Sequence, residues 1–150
     1  MPKVADINVA NLVLKVASDQ VLFVLLAADG SINRQGNGVQ GNPDKDLYIG
    51  MASNTLFPSL MSHLTDKMLI HMGGYDMPDK KGAPCRLSVL FQFSDGTSNG
   101  FVVTYGSESE GPPGEIADFV RAAVEVTGPW YAAQQKMVAS STKKPWWRFW

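Results

Sequence analysis

One thiol, two imidazoles and a handful of loop carboxylates are the groups in this sequence that could carry covalent or acid–base chemistry. Cys85 with His71 or His63 would make a nucleophile and its base, because a thiol must shed its proton to attack and must be open to substrate. Cys85, however, begins a run in which it shares parity with Leu87 and Phe91. A free cysteine on the apolar side of a strand is a packing residue, and free cysteine is among the most buried residue types. Ser107 and Ser109 stand among acids with no histidine near them in sequence. Asp76, Asp79, Glu108 and Glu110 fall in polar stretches where carboxylates are ordinary, and acid–base work needs a geometry that spacing alone does not supply. No catalytic residue is expected. A small enzyme using Cys85 with a histidine, or the loop carboxylates, is the alternative reading.

Metal and phosphate motifs fail on their own chemistry. Two histidines and one cysteine, without an HExxH spacing, do not close a zinc site. Asp29, Ser31 and Asn33 begin like a calcium loop, but Arg34 stands where the sharp turn needs glycine and Gln40 where a bidentate glutamate belongs. Residues 36–41 read Gly-Asn-Gly-Val-Gln-Gly, a literal GxGxxG. That motif cradles a pyrophosphate only between a parallel strand and a helix N-terminus, and here Asn42-Pro43-Asp44 follows. The segment is a connecting loop, and neither cofactor nor metal is expected.

The C-terminus is different. Ala139, Ser140, Ser141 and Thr142, followed by Lys143 and Lys144, have the composition of a linker, and Pro145 leads into Trp146, Trp147, Arg148, Phe149 and Trp150. Three of the four tryptophans fall in the last five residues, and tryptophan and arginine are the side chains most enriched at binding hot spots. Those five residues are the candidate partner-binding segment. The leading expectation is docking on another protein. The next is packing on the chain's own body or on a second copy, as a homo-oligomer. Peripheral contact with a membrane surface and stacking on single-stranded nucleic acid follow, both weaker. Six residues bury too little apolar surface to hold a membrane unaided.

Charge argues the same way. Thirteen cations and fourteen acids give a net charge of −1, but Lys143, Lys144 and Arg148 all lie after Val138. The ten remaining cations face all fourteen acids, so the body carries −4. An acidic body repels phosphate, and no nucleic-acid partner is expected. A single cysteine and an N-terminus without a long apolar run point to a reducing, cytoplasmic setting. No apolar stretch approaches the ~20 residues of a membrane-spanning helix.

What must position these groups is one domain, residues 1–138, followed by the tail at 139–150. Its length suits a single core, and its 45% apolar and 18% charged residues are those of a globular protein. No internal repeat is present. Residues 12–16 predict a strand, and 17–19 a turn. Residues 21–26, apolar throughout, predict a central strand covered on both faces. Asp29-Gly30 predicts a type I′ hairpin into a third strand at 31–35. Residues 36–46 are polar loop, and 47–49 a short apolar piece. Ser53 or Asn54 can cap a helix presenting Leu56, Phe57, Leu60, Met61 and Leu64, with Pro58 in its first turn.

Residues 68–72 suit either strand or helix, and 73–84 read as loop. Cys85, Leu87, Val89, Phe91 and Phe93 alternate with polar residues in the clearest hairpin. Residues 95–100 turn it, and Phe101, Val103 and Tyr105 resume the apolar face. Ile116, Phe119, Val120, Ala123, Val124 and Thr127 line one face of a helix that Gly128 should end, with Pro129 opening another. The expected fold is α+β: an antiparallel sheet of about five strands, an N-terminal meander plus a central hairpin, with two to three helices on one face. The expected function is that of a non-enzymatic accessory or adaptor protein docking on a protein partner through its Trp/Arg-rich tail.

Overall fold

The computed structural model of the protein describes residues 2–38 and 46–142. β1 (Ile7–Val16), β2 (Asp19–Ala27, apolar on both sides) and β3 (Ser31–Gln35) form an antiparallel meander. β6 (Pro84–Phe93) and β7 (Ser98–Gly106) form the central hairpin, and β6 pairs with β1. The sheet is larger than the sequence suggested. The piece at 47–49 becomes an edge strand, β4 (Tyr48–Met51), paired with β3. Within the stretch read as loop, β5 (Gly73–Asp76) pairs parallel to β7 at the other edge. Among the described residues seven strands in the order β4-β3-β2-β1-β6-β7-β5 replace the expected five, and one pairing is parallel. Two adjacent glycines and an aspartate hide β5 from any propensity argument. It is held by backbone pairing and by Tyr75 stacked on Phe101, with ring centroids 6.4 Å apart.

Turn chemistry departs in detail. At Asp29-Gly30 only the glycine has positive φ, +96°, and its N–H donates to the Ala27 carbonyl at 3.0 Å. The connection is therefore a three-residue loop with glycine in the left-handed region, not a type I′ turn. The β6–β7 turn closes by Thr97, and Ser98, Asn99 and Gly100, read as turn residues, already pair with β6.

Three helices cover one face. α1 (Leu56–Met61) follows Thr55 rather than Ser53 or Asn54, and α2 (Asp66–Ile70) is capped by the Thr65 hydroxyl, which accepts the Met68 N–H at 3.2 Å. Together they carry the chain from the β4 edge to the β5 edge. Phe57, Leu60, Leu69 and Phe119 meet Leu12, Val24, Val89 and Phe91 in one core.

α3 (Gly114–Thr142) is one helix where two were expected. Pro129 removes a backbone donor and crowds the preceding turn, at a cost of about 3 kcal/mol, but anchors on both sides offset it. The Thr127 hydroxyl donates to the Ala123 carbonyl at 2.7 Å. The Trp130 indole donates to the Met51 carbonyl at 3.2 Å, its ring lying over Gly50. The Tyr131 hydroxyl accepts the Gly36 N–H at 3.0 Å. α3 thus crosses the sheet from β5 to β4 and runs on to Thr142, over the first residues of the segment read as a linker. Residues 143–150, with Trp146, Trp147, Arg148, Phe149 and Trp150, lie outside the described residues, as do residues 39–41 of the GxGxxG stretch.

Candidate interaction face

The sequence offered a thiol with two possible bases, and the fold separates them. Cys85 is buried at the start of β6, opposite Val16 and Tyr105, and its thiol is 3.6 Å from the Ala83 carbonyl. His71 closes α2 beside β5, where its backbone carbonyl accepts the Tyr75 hydroxyl. His63 is exposed just after α1. No hydrogen bond joins Cys85 to either imidazole among the described residues. Burial pushes the Cys85 thiol above its ordinary value, the opposite of what a nucleophile needs. Iodoacetamide should therefore modify Cys85 only after denaturation. Mass spectrometry would reveal the contrary as rapid labelling of the folded protein.

Burial and the neighbouring Cys85 also push the Tyr105 phenol up to about 12. Folded Tyr105 keeps a proton that the unfolded chain releases near its ordinary value of about 10. Above that pH the unfolded state binds fewer protons, so stability falls as pH rises from about 10 towards 12. Tyr105→Phe should flatten that part of a denaturant-midpoint profile.

Ser107 and Ser109 accept the backbone N–H groups of Ala83 and Lys81 and pin that strap to the end of β7. The Asp76 carboxylate, beside Lys80 and the Thr104 hydroxyl, is held below the usual carboxylate range, while Asp79 lies 4.0 Å from Lys81. Asp29 accepts the Ser31 N–H at 2.8 Å in the turn before β3, and Ser31 and Asn33 of the calcium-like triplet are paired residues of β3. No group of three or more histidine, cysteine or acidic residues converges as a metal site among the described residues. The cleft between the end of α2 and the start of α3, about 200 Å³, brings His71 and Glu115 beside Met68, Tyr75, Phe101 and Ile116.

Sequence reasoning missed Arg34, which is fully buried. It shares the inward parity of Ile32 on β3, a charged residue on a core face and thus a readable signal. Its Nε donates to the Gly36 carbonyl at 3.0 Å, and its guanidinium donates to the Thr127 hydroxyl and the Asn37 side-chain oxygen, each at 2.9 Å. The same group lies 4.4 Å from the centre of the Tyr131 ring, which meets Tyr48 edge-on. This network fastens the far half of α3 to the sheet.

No element among the described residues lies over the opposite face of the sheet. Along β2, Leu22, Val24 and Leu26 point into the core and are buried, while Phe23 and Leu25 alternate onto the other side. Strand register extends that side across the sheet. Ile49, Asn33, Leu25, Asn11 and Leu90 form one row, and Gln35, Phe23, Val13, Ser88 and Val102 the next. Ile49 is 71% exposed, Met51 63% and Leu90 41%. A shallow groove of about 270 Å³ runs between Val13, Leu90, Lys15 and Arg86. The expectation that β2 is covered on both faces is corrected: all three helices lie on one face, and no described element covers the other. A strand that is apolar on both sides suits a sheet with two covers. No helix among the described residues is long and apolar enough to cross a membrane.

No protein-family model, no curated protein and no solved structure matches this chain.

Proposed function

We propose that this chain is a non-enzymatic accessory protein that works by binding other proteins, with the open sheet face as one docking surface. The segment Trp146, Trp147, Arg148, Phe149 and Trp150 is the second. The observation that carries this reading is β2, whose Phe23 and Leu25 are as apolar as Leu22, Val24 and Leu26 yet lie on a side that no described element covers. A sheet face carrying Phe, Leu, Ile and Met beside amides and hydroxyls matches a protein interface better than a small-molecule pocket, which is concave and encloses its ligand. α3 continues eleven residues past Tyr131 at the β4 edge, over the residues that lead to this segment.

The test is affinity capture from the native host's lysate with three baits: the full chain, a chain ending at Thr142, and the full-length Leu90→Glu variant. Circular dichroism should show all three folded. A protein retained by the full chain should be lost from at least one altered bait, which assigns it to the tail or to the face. Equal recovery on all three would overturn the proposal.

A further inference from the structure

The Trp/Arg-rich tail has a complementary site on the body, and that site is out of its own reach. Of three depressions on the described surface, one of about 440 Å³ is lined mostly by polar residues such as Asp6, Ser94, Asp95 and Asn99. The groove on the open face runs between Lys15 and Arg86, whose charges repel a cationic segment. The cleft between α2 and α3 differs from both. Met68, Phe101 and Ile116 give it buried apolar walls, Tyr75 adds a half-buried ring, and His71 and Glu115 are exposed beside it. Its volume of about 200 Å³ suits a single large side chain, since pockets that enclose whole ligands run to about 300–1,000 Å³. Glu115 forms no ion pair among the described residues, and neither does Glu110 on the loop before α3.

Gly114 and Glu115 line the cleft at the first turn of α3, whereas the tail leaves from its last residue, Thr142. At 1.5 Å per residue about 40 Å of helix separates Glu115 from Thr142. Trp150 is eight residues past Thr142, a reach of at most about 29 Å, and the chain must first reverse. The tail cannot enter the cleft of its own chain. We propose that it enters the cleft of a second copy, with Trp150 between Met68, Tyr75, Phe101 and Ile116 and with Arg148 paired to Glu115. Residues two apart share a side of an extended segment, so Arg148 and Trp150 meet that surface together. Lys143 and Lys144 add charge that Glu110 complements. The Met68 thioether favours an aromatic neighbour, and tryptophan and arginine are the side chains that anchor interfaces. Tail and cleft are unlike surfaces, and a twofold exchange, each tail in the other's cleft, closes the contact. The two contacts then reinforce each other.

This inference rests on the tail being a docking segment, and its test can fail separately. Light scattering during size-exclusion chromatography at up to ~100 µM, a range that reveals micromolar association, should give twice the 16.3 kDa chain mass. Trp150→Ala should weaken dimerisation by at least ~30-fold, whereas Leu90→Glu, on the open face, should leave it unchanged. Arg148→Glu and Glu115→Arg should each be monomeric alone and should form a heterodimer when mixed, because each restores the other's charge pair in both contacts. A tail bound within its own chain could not be rescued by mixing. Glu115 is exposed, and circular dichroism should show every variant folded. A monomeric wild type would overturn the second copy as partner, and if lysate capture still failed on the chain ending at Thr142 the tail would stand as a docking segment for another protein. A dimer lost with Leu90→Glu but indifferent to Trp150→Ala and Glu115→Arg would overturn it in favour of the open face.

Discussion

Arg34→Ala should lower stability by about 3–5 kcal/mol, a large part of the margin of a domain this size. The guanidinium is fully buried and serves the Gly36 carbonyl, the Asn37 side chain and the Thr127 hydroxyl at once, while its plane faces Tyr131. Alanine leaves those acceptors buried without their donor and opens a cavity beneath α3. Lysine restores the charge but not the fork of donors, so Arg34→Lys should still cost about 2 kcal/mol. The damage should be local first, because two of the anchors that offset Pro129, Thr127 and Tyr131, are Arg34's own partners. Amide exchange should quicken in α3 beyond Thr127 before it does in β1 or β6. Urea titration gives the total. A loss below about 1 kcal/mol would show that the network is dispensable.

Gly100→Ala should be nearly as damaging, by about 3 kcal/mol or more, for a reason involving no side-chain contact. A Cβ at this position would stand 1.9 Å from the Val89 carbonyl oxygen and 2.8 Å from the Leu90 Cα. Both are backbone atoms of the neighbouring strand, so no rotamer can relieve the overlap, and β7 must leave β6 in the middle of the sheet. Gly74 on β5 is the control. Nothing lies within 4 Å of its Cβ position, and Gly74→Ala should change the urea midpoint by no more than about 0.5 kcal/mol of stability.

These two residues mark where the sequence could and could not be read. Period-two alternation located β6 and most of β7, because each buries one side chain in two against the helices, whereas the apolar residues 12–16 marked only the second half of β1 and the Asp29-Gly30 turn led to β3. The stripe from Ile116 to Thr127 located α3 for the same reason. Gly100, Gly73 and Gly74 pointed to turns because glycine usually does, yet each is a strand residue placed by pairing with a neighbour remote in sequence. Pro129 pointed to a break, and only contacts to β3 and β4 from Arg34 through Tyr131 show why the helix continues. Cys85 was legible as a core residue, because it shares the parity of Leu87 and Phe91, and all three are buried. The open face was half legible. The apolar run at 21–26 announced a strand covered twice, but which side lacked its cover depends on where three helices pack.

Two methionines with nearly equal exposure test the open-face account most directly. Met51 lies on the open face at 63% and Met137 on the overhanging end of α3 at 65%. Under mild peroxide both should oxidise at similar rates in dilute protein. When the protein is added to native host extract, Met51 should become several-fold slower while Met137 stays fast or slows only with tail binding. A Met51 that stays as reactive there as in dilute solution would mean that nothing covers this face, contradicting the account.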